Sequence, residues 1–266
     1  MQSENMAKHL AKKRFGQHFL TDAYIINLLI SSIAPKKDDQ MLEIGPGLGA
    51  MTKPVLPLVD HLQVIEIDRD VINHLTHLGG DKITIHNVDA LRVDLSEIID
   101  TSKPLRVIGN LPYNISTPLI FHLLEAAPCI KDMHFMLQKE VVDRITAEPG
   151  GKSYGRLSVM VQYLCQTEYL FFVGPESFSP PPKVDSAVVR IIPWEKKPFI
   201  ADDETVFADV VRQAFAQRRK TLRNTLKKLI DADALTEIGI DPTARAETLN
   251  VEQFVTISNK VKQLSE

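Results

Sequence analysis

Two cysteines in 266 residues exclude a disulfide-stapled scaffold, and neither Cys129 nor Cys165 has the spacing of a metal-ligand set. Both sit in apolar surroundings, after Ala127-Pro128 and after Tyr163-Leu164, and so read as core thiols of a reducing compartment. No hydrophobic run approaches the roughly 20 residues that a membrane-spanning helix needs. The first residues lack the apolar core of a secretory signal, so a cytoplasmic protein is expected. There is no excess of positive charge either: 31 basic against 34 acidic residues leave a net charge of −3. Bulk charge therefore does not mark a nucleic-acid binder, although phosphate contacts need only a local basic face. No internal repeat or low-complexity tract is present.

What is present is an ordinary globular balance, 44% hydrophobic and 24% charged, in a chain long enough for one large domain and a smaller one. Apolar runs at 41–44, 62–67, 82–88, 105–108 and 133–137 predict strands. Helical stretches near 50–57, 69–78 and 116–126 lie between them. This alternation implies a mostly parallel, doubly wound α/β sheet. Runs at 169–173 and 187–192 are expected as an antiparallel pair at its edge, and 140–147 and 155–165 as helices. Lys196-Lys197-Pro198 suggests a linker, and the residues beyond it have helical periodicity without a convincing strand. The expected division is an α/β domain over 1–197, including a basic N-terminal arm, and a helical domain over 198–266.

Chemistry-bearing residues fall at successive strand ends. Leu42-Glu43-Ile44-Gly45-Pro46-Gly47-Leu48-Gly49 follows a strand and opens a helix, and its glycines let a ligand approach the backbone. The spacing is Gly-x-Gly-x-Gly, not the Gly-x-Gly-x-x-Gly of dinucleotide-binding folds, which disfavours a dehydrogenase. Pro46 also removes an amide that a phosphate would want. Glu66 ends the second predicted strand, 21 residues after Gly45, where a carboxylate accepts from both hydroxyls of a ribose. Asp89, followed by Ala90, ends the third and is placed to accept from an adenine amino group. Singly, either carboxylate is as well read as a helix N-cap or a solvated loop residue. In succession they imply an adenosine without pyrophosphate, and S-adenosylmethionine fits. Asn110-Leu111-Pro112-Tyr113 ends the fourth strand, at the carboxyl edge where open α/β sheets bind ligands.

Before the first strand, Lys8, Lys12, Lys13 and Arg14 run into Phe15-Gly16-Gln17-His18-Phe19-Leu20, a basic arm ending in residues that pack. These motifs, together with Phe178-Ser179-Pro180-Pro181-Pro182-Lys183 and the stretch on to Arg190, resemble the ribosomal RNA adenine dimethyltransferases over nearly the whole chain. Arg218-Arg219-Lys220-Thr221-Leu222-Arg223-Asn224 and Ala187-Val188-Val189-Arg190 fit the small-subunit branch better than the large-subunit one. The resemblance implies a Rossmann-like S-adenosylmethionine-dependent methyltransferase fold, with a seven-stranded, mostly parallel sheet and a small C-terminal all-α domain. It implies cofactor contacts from His18, Leu20, Gly45, Gly47, Glu66, Asp89, Ala90 and Asn110, with Gln17 beside the methionine portion and no metal. Where the family's motif has Asn, this chain has His18. The implied reaction is N6,N6-dimethylation of two adjacent adenosines near the 3′ end of 16S rRNA. The expected partner is the small ribosomal subunit or its precursor, met by a monomer.

An adenine amine is a poor nucleophile because its lone pair is delocalised into the ring. The Asn110 side-chain oxygen and a main-chain carbonyl at Leu111 or Pro112 are placed to hold both its N–H bonds, with Pro112 stiffening the backbone. Tyr113 offers a flat face to a flipped base, stacking worth roughly 1–3 kcal/mol. Phe178 has two readings, as the opposite face of the base or as a core residue. A helix is predicted over 212–230, with Phe215, Leu222, Leu226 and Leu229 inward and Arg218, Arg219, Lys220, Arg223, Lys227 and Lys228 as a cationic stripe. Arg218, Arg219, Lys220 and Arg223, with Lys12, Lys13 and Arg14 of the arm, are assigned to RNA. Two alternatives remain: a 23S rRNA adenine methyltransferase of the macrolide-resistance type, and an RNA-binding assembly factor without catalysis.

Overall fold

The structure, a computed structural model, describes residues 18–265. Seven strands form the main sheet: β2 (Gln40–Ile44), β3 (Leu62–Ile65), β4 (Ile83–His86), β5 (Leu105–Asn110), β6 (Ile130–Gln138), β7 (Cys165–Val173) and β9 (Ser186–Pro193). Two short strands, β1 (Phe19–Leu20) and β8 (Phe178–Ser179), pair antiparallel in a separate ribbon, Phe19 opposite Ser179 and Leu20 opposite Phe178. The main sheet runs β4-β3-β2-β5-β6-β9-β7. From β4 across to β6 every pairing is parallel, and β9 joins β6 antiparallel. Central strands such as β5 are buried along almost their whole length, which is why they read as unbroken apolar runs rather than alternating ones. The chain winds outward from β2 to β4 on one side and from β5 to β6 on the other. Strand order therefore reverses between β2 and β5, and a crevice opens at their carboxyl ends.

Helices pack on the sheet where the sequence supplies both a cap and an apolar stripe. In α1 (Ala23–Ile33) the Asp22 carboxylate accepts from the Tyr24 and Ile25 N–H groups, and Ile25, Leu29 and Ile33 are buried. Next come α2 (Thr52–Val55), α3 (Arg69–Gly79), capped by Asp68, and α4 (Ser116–Glu125). The strands expected over 62–67 and 82–88 stop at Ile65 and His86, and Glu66, Ile67 and Val88 lie in loops at the crevice. Burial pushes the Cys165 thiol up to about 12, as expected of a core thiol, while Cys129 is half-buried.

At the opposite end of β5 lies a buried ion cluster. Arg106 donates from Nε to both carboxylate oxygens of Asp132 (2.9 and 3.2 Å) and from Nη2 to Asp132 Oδ2 (2.9 Å). Its Nη1 reaches Asp39 (2.7 Å) and the Ala34 carbonyl (3.3 Å), and Nη2 also reaches the Ile33 carbonyl (2.6 Å). One side chain thereby joins β5 to β6 and to the C-terminal end of α1, whose last carbonyls have no helical partner.

The chain divides into two compact units that do not follow chain order. One holds the residues through Val142 together with Glu168–Pro193, and the other Asp143–Thr167 together with Trp194–Glu266. The expected cut at 197/198 lies close to the last of these boundaries, between Pro193 and Trp194. Residues 143–167, however, group with the helical unit. Tyr154, Val159 and Tyr163 are buried in one apolar cluster with Phe207, Leu222 and Phe254, and the Tyr163 and Phe207 rings are 4.3 Å apart. That unit contains α6 (Arg156–Leu164), α7 (Glu204–Ala214), α8 (Leu222–Thr225), α9 (Ala232–Glu237) and α10 (Val251–Ser265), while α5 (Lys139–Ile145) crosses the boundary.

The helix expected over 212–230 is a correction. The α7 helix ends at Ala214, residues 215–220 are turns, and only Leu222–Thr225 is helical again. The backbone is drawn away by bonds to a distant segment, Leu222 N to Ala244 O (2.9 Å) and Arg223 N to Pro242 O (3.0 Å). Arg218, Arg219 and Lys220 therefore sit on a turn, and Arg223 on the short α8.

Replacing Arg106 by Met leaves the buried Asp132 and the half-buried Asp39 without their main partner and is expected to cost about 3–5 kcal/mol. Urea unfolding of wild type and variant measures it, and a loss below about 1 kcal/mol would show the cluster to be dispensable.

Candidate active site

Residues from the carboxyl ends of β2, β3 and β5, the loop after β4 and the β1 strand enclose a cavity of about 1190 Å³. Its floor is the glycine loop, where Gly45, Gly47 and Gly49 have φ of 66°, 53° and 81°. At Gly47 a Cβ would also come within 3.1 Å of the Phe19 ring, so strand β1 lies directly against the loop. The Gly47 N–H donates to Glu66 Oε2 (3.2 Å), and Asp68 N–H to Glu66 Oε1 (2.8 Å). Burial raises the proton affinity of Glu66, and these backbone bonds oppose the shift.

Asp89 also lines the cavity. One of its carboxylate oxygens accepts from the Leu91 N–H (3.0 Å), so Asp89 is a loop residue, capping no helix, with a place at the cavity. Ala90 is buried beside it, and His18, Leu20 and Asn110 line the same space. Sequence reasoning passes over Ile67 and Val88, exposed apolar residues of the lining that come after two strands and could flank a flat ring. Each stands two residues past the end of its strand, with one polar residue between, Glu66 before Ile67 and Asn87 before Val88.

Glu43 is a further residue to which the sequence alone assigns no role. It is 2% exposed, lines the cavity and accepts from Thr52 Oγ1 (2.7 Å). Burial pushes its carboxyl up to about 7, with Glu66 adding to the rise and Thr52 opposing it.

On the other side stands Asn110-Leu111-Pro112-Tyr113, all four residues in the lining. The Asn110 Nδ2 donates to the His18 carbonyl (3.1 Å). The Leu111 N–H donates to Met136 O (3.1 Å), and the Pro112 carbonyl accepts from Ile115 N–H (3.1 Å). Tyr113 is held at its hydroxyl by buried Ser186 (2.8 Å), and its ring faces that of His18 at 6.0 Å and 24°. Phe178 does not reach the cavity: it is 3% exposed among Leu20, Ile25 and their neighbours, and Ser179 takes the place in the lining. In this arrangement the ring has its core position, because β8 pairs with β1 and turns Phe178 inward.

Gln17, Lys12, Lys13 and Arg14 lie outside the described residues. In the helical unit Arg218 and Arg219 border a separate notch of about 450 Å³, shared with Lys152, Arg245, Glu247 and the Gly150-Gly151 turn. Arg218 is held there by Glu247 (3.1 Å) and by the Lys152 carbonyl. Lys220 and Arg223 are exposed but do not line it. Lys152 and Arg245 were not legible, since an isolated cation far along the chain carries no local signal. Among the described residues no helix is long and apolar enough to cross a membrane.

A doubly wound sheet with a glycine loop, a buried carboxylate and an Asn-Leu-Pro-Tyr turn around one crevice defines a Rossmann-like methyltransferase. The family model described as ribosomal RNA adenine dimethylase matches residues 8–263, and the chain belongs to that family of RNA-modifying enzymes. It is 56% identical over 259 residues to ribosomal RNA small subunit methyltransferase A of Hydrogenovibrio crunogenus, covering 96% of this chain and 97% of that one. It is 57% identical over 253 residues to the protein of the same name from Methylobacillus flagellatus, covering 95% and 98%. Among solved structures, a dimethyladenosine transferase from Plasmodium falciparum superposes with a TM-score of 0.78 at 27% identity, over 90% of this chain and 96% of that one. The 23S rRNA methyltransferase ErmE shares the fold, with a TM-score of 0.73 at 24% identity over 92% and 100%.

The raised Glu43 carboxyl makes stability depend on pH. Its folded value of about 7 exceeds the ordinary 4.5, so between those values the folded state binds more protons and stability falls as pH rises. Relative to Glu43→Gln, wild type should lose up to about 3 kcal/mol as pH rises from 4.5 through 7, the loss levelling off about one unit above 7. Urea unfolding of both proteins across that range checks this, and parallel curves would refute it.

Proposed function

We propose that this chain transfers methyl groups from S-adenosylmethionine to N6 of two adjacent adenosines near the 3′ end of 16S rRNA, dimethylating each. The observation that carries the reading is the single crevice in which the adenosine-side residues and Asn110-Leu111-Pro112-Tyr113 face one another. The relatives named for the small subunit support that substrate over 23S rRNA.

The cavity suits the cofactor. Glu66 presents a buried carboxylate for a ribose, Asp89 and the apolar residues Ile67, Val88 and Ala90 suit an adenine, and the glycine loop offers backbone without a side-chain barrier. His18, Leu20, Gly45, Gly47 and Asn110 complete the proposed contacts, with Gln17 assigned on the motif alone. When bound, S-adenosylmethionine supplies a methyl group activated by its sulfonium. The protein's own task is to hold the amine. Asn110 Oδ1 accepts one N–H, and the Leu111 carbonyl suits the other better than that of Pro112, which already accepts from Ile115. Drawing both N–H bonds to acceptors favours a pyramidal nitrogen with its lone pair free. Tyr113, fixed by Ser186, offers the stacking face. For Phe178 to close the opposite face its ring has to leave the core.

Arg218, Arg219, Lys220 and Arg223 are assigned to RNA phosphates, with Lys152 and Arg245 added by the notch and Lys12, Lys13 and Arg14 by the motif. The helical unit is thereby the RNA-binding domain in this reading. The enzyme works as a monomer in the cytoplasm, where its ribosomal substrate is assembled.

Purified protein, labelled cofactor and undermethylated 30S particles or naked 23S RNA test the proposal. Label is expected in the 16S RNA, and preferential labelling of 23S RNA would overturn it. Asn110→Ala should lower the transfer rate by about 100-fold or more while sparing RNA affinity. Replacing Arg218, Arg219 and Lys220 by Ala should weaken RNA binding first and flatten its salt dependence by about one unit of slope for each phosphate no longer neutralised.

A further inference from the structure

A primary amide offers an oxygen at one end and an NH₂ group at the other, and the two ends have nearly the same shape. A catalytic amide must therefore be told which end to present. At Asn110 the instruction comes from the main chain. The atom 3.1 Å from the His18 carbonyl has to be Nδ2, because a carbonyl only accepts, and the reversed amide would set two oxygens against each other. One N–H is thus engaged, and Oδ1 is fixed on the other arm of the side chain.

The His18 carbonyl is itself held in place. Residues 19 and 20 are paired in the β1–β8 ribbon, and the Thr21 and Asp22 N–H groups both donate to the Ser177 carbonyl (2.8 and 3.3 Å). Ser177 Oγ donates to Asp22 (3.1 Å), and His18 Nδ1 donates to the Pro180 carbonyl (2.8 Å). All of these bonds tie residues 18–22 to residues 177–180 and leave the His18 carbonyl directed at Asn110.

We propose that the main-chain carbonyl of His18 is the positioning group of the reaction. It takes one N–H of Asn110 so that Oδ1 is the end presented to the adenine amine. This rests on the reading of Asn110 as the amine's acceptor. Because a carbonyl is common to every residue, the orientation survives the exchange of the family's Asn for His18.

Asn110→Asp separates the two ideas. The variant keeps acceptors for the amine but as a carboxylate has no proton for His18. Once protonated, its O–H can donate to His18 while the other oxygen accepts. Single-turnover methyl transfer to undermethylated 30S particles, at saturating cofactor and over pH 6–8, should show Asn110→Asp about 100-fold slower than wild type at pH 8. The variant-to-wild-type ratio should then rise as pH falls, by up to about tenfold per pH unit. A ratio that is flat with pH, or wild-type rates for Asn110→Asp at pH 8, would overturn the positioning role. With Asn110→Ala inactive in the same assay, either result leaves the acceptor reading standing, whereas an active Asn110→Ala removes both. Should Asn110→Asp not fold, the wild-type side-chain amide, ¹⁵N-labelled and assigned by its loss in Asn110→Ala, decides. One N–H protected from exchange is expected, and two equally exchanging protons would overturn the proposal.

Discussion

The geometry of the crevice depends on one buried guanidinium. Arg106 spends its donors on two carboxylates and two main-chain carbonyls, so that β5, β6 and the end of α1 cannot shift separately. Four residues further along the same strand is Asn110. A strand buried on both faces and pinned at its base transmits little play to its tip, and a reacting group placed on such an element is held more closely than one on a free loop. Burying ions in this way is seldom a net gain in stability over apolar packing. The arrangement is better understood as specifying one register of the central strands.

Around that strand the site divides the work between its two sides. In the proposed reading, Glu66, Asp89 and the glycine loop form the nucleoside side of the cavity they line. In the same reading, Asn110, Leu111 and Tyr113 form the target side, with acceptors and one ring for a base. The short β1–β8 ribbon belongs to both. Its Phe19 ring lies on the glycine loop, and the His18 carbonyl preceding it meets Asn110.

Residues that are contiguous in the chain were the legible ones. The glycine loop, Glu66, Asp89 and Asn110-Leu111-Pro112-Tyr113 each fall at or just past the end of a predicted strand, and winding alone brings strand ends together. The parallel sheet was legible for the same reason. The turn at 215–220 was not, because Phe215, Leu222 and Leu226 keep a helical spacing while the backbone N–H groups of Leu222 and Arg223 go to residues 244 and 242. Arg245 and Lys152 were hidden by distance along the chain. Phe178 shows the limit from the other direction: a motif can name a residue, but only the pairing of β8 with β1 shows which way its ring points in this state.

The helical unit is assembled from two stretches of chain with an intervening return to the sheet. During synthesis, Tyr154, Val159 and Tyr163 leave the ribosome well before Phe207 and Phe254, the partners that cover them. The nascent chain thus carries an uncovered aromatic surface until its final helix emerges, and holding that surface away from other chains falls to whatever receives newly made polypeptide.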